Sequence, residues 1–337
     1  MLKIIQDEQT IRRCQRQFVR SFRPFVDEKI QVSLGHPGAS VKARVFWSGR
    51  LGIWFLSRNT EEGRYWNAFG TGQPKPNATI PITCEINFPV QGVDRRMGGA
   101  LARDFTGRAF VVHRGKLGGS RKGVGKSLFA DHYRGVWDIL EEGDAETPVA
   151  VIGALQSPRL VRQVTQFIHK VDRIKEIASA RSPQMEMPFH QIEFRETRVG
   201  ERYCDIENDK GAECDHGLVV GDLSESLKRQ GFRVGNDDFH DLFITNERKD
   251  ITTVFQVKTL GSPASLYAGA TRLLLNSLRL SQPLRLVLVL PEKPDAAVEE
   301  KLKRLHIDAI TYEWKGDQAW FPGLKPLLAP VQQAGPA

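Results

Sequence analysis

From about residue 217 onward the apolar residues change period several times, and few folds accommodate such a chain. Leu218, Val219, Leu223 and Leu227 fall on one face of a helix over 218–230, and Gly231 stops it. Leu242–Thr245 and Thr253–Val257 read as strands, and Ser265–Leu280 reads as a strongly apolar helix. A buried strand (Leu284–Leu290), a helix (Asp295–Leu305) and a last strand (Ile307–Tyr312) complete the series. The order αββαβαβ predicts a mixed central sheet flanked by helices.

The preceding half has another texture. Val41–Trp47 and Leu51–Ser57 are β-branched and aromatic, with a hairpin turn expected at Ser48-Gly49-Arg50. Tyr65–Phe69, Ile80–Phe88 and Ala109–His113 are further expected strands, with a Pro-containing loop at 72–79. Many short strands with Gly and Pro between them predict a β-rich barrel or sandwich. Val161, Val164, Phe167, Ile168, Val171 and Ile174 then mark one amphipathic helix over 160–177. The chain of 337 residues suits two domains. They are placed at 1–177 and 212–325, with a linker at 178–211 and a tail at 326–337.

Chemistry concentrates on two neighbouring expected strands. Asp241 opens the first, and Gln256 and Lys258 lie on the second. Side chains two apart on a strand share a face, so Gln256 and Lys258 are expected to project together while Phe255 and Val257 face the core. A carboxylate can hold Mg²⁺, a hard cation that takes oxygen ligands, and Gln256 can add a neutral carbonyl oxygen. A nearby lysine can stabilise negative charge growing on a phosphoryl group.

Asp, a strand, then Gln-x-Lys on the next strand resembles the PD-(D/E)xK nuclease superfamily, in the Gln-x-Lys form of Mrr-like, modification-dependent restriction enzymes. The resemblance covers about 212–315 and includes a preceding helix with an acid (Asp222 or Glu225) and the long helix from Ser265. It implies an α/β nuclease fold, Mg²⁺ (or Mn²⁺) as cofactor, Asp241 and Gln256 as metal ligands and Lys258 as catalytic cation. Glu225 is either a further ligand or a solvated helix residue. This chain departs from the pattern in carrying no proline before Asp241, Gln in place of the usual acid, and Arg272 where related sequences often carry Gln.

Residues 103–126 hold seven cations (Arg103, Arg108, Arg114, Lys116, Arg121, Lys122, Lys126) against one acid, Asp104, with six glycines interleaved. A glycine-rich basic loop lets backbone N–H groups and cations approach phosphates, so this segment is the expected DNA-backbone contact. Ser120–Ser127 is similar to a Walker A loop, but Ser120 stands at its first glycine and no Walker B strand follows. Of the aromatic residues between Trp47 and Phe69, most are expected in the core, with Trp66 beside Asn67 the first candidate to stack on a base. The β-rich half resembles restriction-enzyme specificity domains of the B3-like or PUA-like, modified-base-reading kinds. Cys204, Cys214 and His216 lack a zinc-finger spacing and are expected as ordinary loop residues. His113 either touches phosphate or is a satisfied, half-buried histidine.

Net charge is +8, which permits binding to polyanions. Four scattered cysteines do not suggest a disulfide framework. No apolar run reaches the ~18 residues of a membrane span, and the acidic N-terminus does not read as a secretion signal, so the cytoplasm is the expected compartment. Together these readings predict a restriction-type endonuclease of type IV or type II character, acting on double-stranded DNA as a homodimer. The alternative is a DNA-binding regulator with a degenerate nuclease fold.

Overall fold

In the computed structural model the chain divides into two compact units, 1–189 with 200–214, and 190–199 with 215–337. The structure describes residues 1–36, 39–60, 62–117, 125–180, 202–203, 209–237, 239–278 and 284–328. The protein is a mixed α/β molecule, and no described helix is long and apolar enough to cross a membrane.

The first unit begins with β1 (Leu2–Ile4) and a helix that the sequence reading lacks, α1 (Glu8–Phe22). Asp7 caps α1 by accepting from Thr10 N–H at 2.7 Å. Ile11, Cys14, Gln15, Phe18 and Phe22 form its buried face. A meander follows: β2 (Glu28–His36), β3 (Ala39–Ser48), β4 (Ile53–Thr60) and β5 (Arg64–Thr71). The β3–β4 turn spans four residues, 49–52, rather than three, because Gly52 sits at φ +67°, a conformation that glycine adopts without strain. The expected strand over 80–88 is instead three short pieces, β6 (Thr79–Pro81), β7 (Cys84–Glu85) and β8 (Phe88–Pro89). Pro81 and Pro89 each lack the N–H a continuous ladder needs. These strands make one seven-stranded sheet, a half-barrel with β6 on β2 at one edge and β7 and β8 on β5 at the other.

A second sheet follows, formed by β9 (Gly99–Arg103), β10 (Ala109–His113), then α2 (Lys126–His132), β11 (Val136–Glu142) and β12 (Ala145–Ala154). Strand order β1-β9-β10-β12-β11, with β11 pairing back to β1, closes five strands into a ring. Leu2, Ala100, Ala102, Phe110, Val112, Val136 and Leu140 belong to one buried cluster of this ring. Helix α3 (Leu160–Ala180) and α1 join Phe55 and Phe69 of the half-barrel and Val111 and Ile152 of the ring in the largest core. Phe18 sits there edge-on to Phe22 at 5.3 Å and to Phe88 at 5.5 Å. Each such pair adds about 0.5–1.5 kcal/mol beyond its burial.

Residues 178–211 are not wholly a linker. Strand β13 (Arg202–Tyr203) pairs parallel with β11, and Asp209 forms an ion pair with Arg108 at 3.0 Å. The boundary between units falls inside α4 (Lys210–Arg229), which starts eight residues before the expected Leu218 because its first two turns are polar.

The second unit is a five-stranded sheet of β14 (Arg233–Gly235), β15 (Leu242–Thr245), β16 (Ile251–Val257), β17 (Arg285–Leu290) and β18 (Ile307–Thr311), in that order. The β14–β15–β16 pairings are antiparallel, and β16–β17–β18 are parallel. Val219, Val220, Leu223 and Leu227 of α4 pack with Leu242, Ile244, Phe255 and Val257. Leu266, Ala270 and Leu273 of α5 (Pro263–Ser277) and Val298 and Leu302 of α6 (Ala296–Arg304) pack with Phe243, Val254 and Leu288. Both faces of the sheet are therefore covered, so the face carrying Gln256 is core as much as the face carrying Phe255 and Val257. A hairpin of β19 (Glu313–Lys315) and β20 (Gln318–Trp320) and the short α7 (Leu324–Leu328) end the described chain.

Candidate active site

Asp241 is the residue just before β15. Gln256 stands next to the end of β16, and the antiparallel pairing Leu242↔Phe255 brings the two together. Asp241 is 2% exposed and Gln256 1%. Gln256 Nε2 donates to Asp241 Oδ2, as do Val257 N–H at 2.9 Å and His216 Nε2 at 3.2 Å. A carboxylate only accepts, so the amide presents its nitrogen and the imidazole its N–H to it. Among the described residues no donor reaches Oδ1.

Burial is the largest influence on Asp241 and works against its charge. The His216 imidazole, its hydrogen bond, the Arg272 guanidinium on α5 and the Val257 N–H outweigh it and hold the carboxyl well below the usual range. A buried ion held this way keeps an anionic oxygen at the end of β15 at all physiological pH values. Arg272 therefore supplies charge compensation to the buried carboxylate.

His216 was not among the sequence candidates for this site. It lies within α4, not in a loop, and continues the buried stripe of Val219, Val220, Leu223 and Leu227 one turn earlier. That spacing was the available signal. Its Nδ1 is buried and has no hydrogen-bond partner among the described residues. Cys214, one position from the unit boundary, donates its thiol to Val151 O at 3.6 Å, and Cys204 lies outside the described residues.

The loop before Asp241 is fixed from both sides. Asp237 accepts from Phe239 N–H at 2.9 Å, His240 N–H at 2.7 Å and His240 Nδ1 at 2.9 Å. Asn276 Nδ2 and Arg272 Nε of α5 donate to Phe239 O at 2.6 and 3.4 Å.

Lys258 follows the last residue of β16, and its N–H donates to Val289 O at 2.9 Å. Its side chain is half-buried over Gly269 of α5. A Cβ at Gly269 would stand 3.0 Å from Lys258 Cε and 3.2 Å from Cγ, so the missing side chain makes room for the lysine stem. Glu225 is not brought to this cluster. It is exposed, paired with Lys228 at 3.0 Å and nine residues beyond His216, about 13 Å along the helix. Asp222 accepts from Ala319 N–H at 2.7 Å. Among the described residues no group of three or more His, Cys, Asp or Glu side chains is placed to hold a metal ion.

The first-unit candidates separate. Trp66 is buried with Arg58 4.5 Å over its ring, and its Nε1 donates to Glu85 Oε1 at 2.9 Å. Asn67 is fully buried; its amide donates to Gln15 Oε1 and Ile86 O and accepts from Gln15 Nε2 and Ser57 Oγ. Neither presents a face to a base, because the network that holds α1 on β5 uses them.

Arg114 is not a phosphate contact either. It is 2% exposed, ion-paired with Glu142 and donates to Met97 O and Gly99 O at 3.1 Å each. Arg108 is held by Asp104 at 2.9 Å and Asp209 at 3.0 Å. Lys116 donates to Arg95 O, while Arg103 and Lys126 are exposed. Arg121 and Lys122 lie outside the described residues. His113 is wholly buried and pushed down to about 4 by burial and by Arg114, so it stays neutral at pH 7.

Compared with protein-family models, curated proteins and solved structures, the chain matches none.

Proposed function

We propose that the second unit is a Mg²⁺-dependent nuclease domain and the first unit a duplex-DNA reader, together a restriction-type endonuclease. The carrying observation is the direct pairing of Asp241 with Gln256 at one end of the central strands β15 and β16, with Lys258 two residues on beside α5. The order of α4, three antiparallel strands, α5 and a parallel strand supports the resemblance to the PD-(D/E)xK superfamily.

The donor set suits a hard cation in one respect. Three protein donors lock Oδ2 of an ionised carboxylate and leave Oδ1 as the oxygen that would hold Mg²⁺, and the Gln256 carbonyl oxygen is a neutral donor of the same hard kind. When bound, Mg²⁺ would polarise the phosphate and lower the pKa of an attendant water. The chain's own contributions are distinct. Lys258 places a cation where negative charge grows as water oxygen bonds to phosphorus and the ester P–O bond breaks. His216 and Val257 N–H orient Asp241. One such site per chain cuts one strand at a time, so scission of a duplex calls for two copies, a homodimer on DNA.

Incubation of the wild type and Lys258→Ala with unmodified, methylated and hydroxymethylated DNA plus Mg²⁺ or Mn²⁺ tests this. Cleavage by the wild type alone is expected; intact DNA in every combination overturns it. One observation favours the second reading, a DNA-binding regulator: buried Asp241 already accepts three hydrogen bonds from the protein. Salt-sensitive DNA retention with no divalent-metal effect would be its mark.

A further inference from the structure

A cleft of about 750 Å³ opens in the first unit, between the β5 and β7 edge of the half-barrel and the loops flanking β9 and β10. That size falls within the ~300–1,000 Å³ of small-ligand sites. Glu85 lines it, and its carboxylate is fixed in place: Oε1 accepts from Trp66 Nε1 at 2.9 Å and Oε2 from Asn87 Nδ2 at 2.7 Å. Both donors are themselves immobile. Trp66 is buried, and Asn87, 5% exposed, accepts from Asn67 N–H at 2.9 Å. The Glu85 carbonyl oxygen accepts from buried His113 at 3.2 Å, so backbone and side chain are both anchored.

The remaining walls are built with equal economy. Gly98 lets this wall pack directly on its neighbours, since a Cβ there would stand 2.5 Å from His113 Nε2 and 2.9 Å from Lys116 O. Met97 and Leu117 supply apolar surface. Four cations line the cleft. Two of these neutralise adjacent acids, Arg64 with Glu62 at 2.8 Å and Arg96 with Asp94 at 3.2 Å. Of the other two, Lys116 donates to Arg95 O and Lys126 is exposed, and both line the cleft with Glu85. A fixed carboxylate and two ammonium groups along the same cleft suit a ligand with a hydrogen-bond donor at one end and an anion at the other.

We propose that this cleft binds a single nucleotide whose base carries an exocyclic amino group, with Glu85 accepting from that amine and Lys116 and Lys126 holding the phosphate. Carboxylates accept from cytosine N4 in the same sense when proteins read base edges. The nucleotide arrives either free or unstacked from a strand. The cleft belongs to the first unit and does not depend on the nuclease reading of the second.

The Trp66 indole N–H bonds to Glu85, so its ¹⁵N-labelled NMR resonance reports occupancy in the full chain. Deoxycytidine 5′-monophosphate is expected to shift it at millimolar concentration, with thymidine 5′-monophosphate at least tenfold weaker. Glu85→Gln should abolish that preference. Lys116→Ala with Lys126→Ala, both exposed, should weaken each nucleotide at least fivefold without touching the fold. A duplex with one unpaired cytosine, titrated beside the free nucleotide, separates the two sources by which binds more tightly. Lys258→Ala should bind as the wild type does, so failure of cleavage and failure of this site are told apart. An unmoved Trp66 signal with every probe, or equal affinity for the two nucleotides, overturns the proposal.

Discussion

Acid should loosen the first unit through a single imidazole. His113 accepts from Gly115 N–H through Nδ1 at 3.1 Å and donates through Nε2 to Glu85 O, so a second ring proton would face an N–H head-on. Its surroundings add no compensating charge: Phe167 and Phe129 lie 5.0 and 6.1 Å away, and the adjacent ion is the Arg114 cation. With a folded-state value of about 4 and an unfolded value of about 6.5, the unfolded chain binds the proton first as pH falls. Stability is therefore present above about pH 6.5 and lost as pH drops toward 4. Between pH 7 and 5 the loss is about 2 kcal/mol, or about 4–8 °C in Tm for a unit of this size. Asp241 falls outside that window. Its carboxyl is held low, so the stability it contributes is present above about pH 4 and lost only on further acidification. Four of the six tryptophans (Trp47, Trp54, Trp66, Trp137) belong to the first unit, so urea melts followed by fluorescence at pH 7, 6 and 5 report on it. His113→Gln keeps a donor and an acceptor but cannot titrate. It should lower stability at pH 7 and flatten the slope between pH 7 and 5. An equal slope in wild type and variant would refute the reasoning.

Arg114→Ala leaves buried Glu142 with only the half-exposed Arg95, 3.8 Å away, as a cation and should cost about 3–5 kcal/mol in urea denaturation, whereas exposed Lys116→Ala should stay within about 0.5 kcal/mol. Equal effects would show that Arg114 is not the structural member of the pair. Gln256→Glu replaces a donor to Asp241 with a like charge, so it should lose about 1–3 kcal/mol in EDTA and recover part of that with Mg²⁺, read by thermal melting. Gly269→Ala puts a Cβ 2.7 Å from Leu288 Cδ1 and 3.0 Å from Lys258 Cε, and should cost about 1–3 kcal/mol. If Lys258 serves cleavage, kcat in that variant should fall at least tenfold with KM little changed; an unchanged kcat would separate the lysine from the chemistry.

Where the second unit's periodicity is clean, sequence and structure agree closely. Leu242–Thr245 is β15 residue for residue, and Asp295 is the cap of α6, accepting from Val298 N–H at 2.8 Å. The adjacency of Asp241 and Gln256 follows from strand pairing and period two. Other features were hidden for identifiable reasons. Helix α1 carries Arg12, Arg13, Arg16 and Arg20 among its apolar positions, and a glutamine occupies one buried place, so its stripe reads as polar. The roles of Trp66, Asn67 and Arg114 depend on partners up to about fifty residues away in sequence, Gln15, Glu85 and Glu142, which no local pattern announces. His216 looked like loop because the first turns of α4 carry charges in place of Leu and Val.

The ring of five strands also sets an order of events during synthesis. Leu2–Ile4 is made well before its partners, which are 99–103 and 136–142. At ~5–20 residues per second the ribosome takes on the order of ten seconds to deliver β11. The half-barrel meander of β2 to β5 pairs with near neighbours and is complete well before that. The opening strand must therefore stay unpaired while a neighbouring sheet assembles beside it, and closure of the ring is a late step. Mutations in Leu2–Ile4 should slow that step, which makes this short segment a place where nascent-chain handling, more than native packing, determines yield.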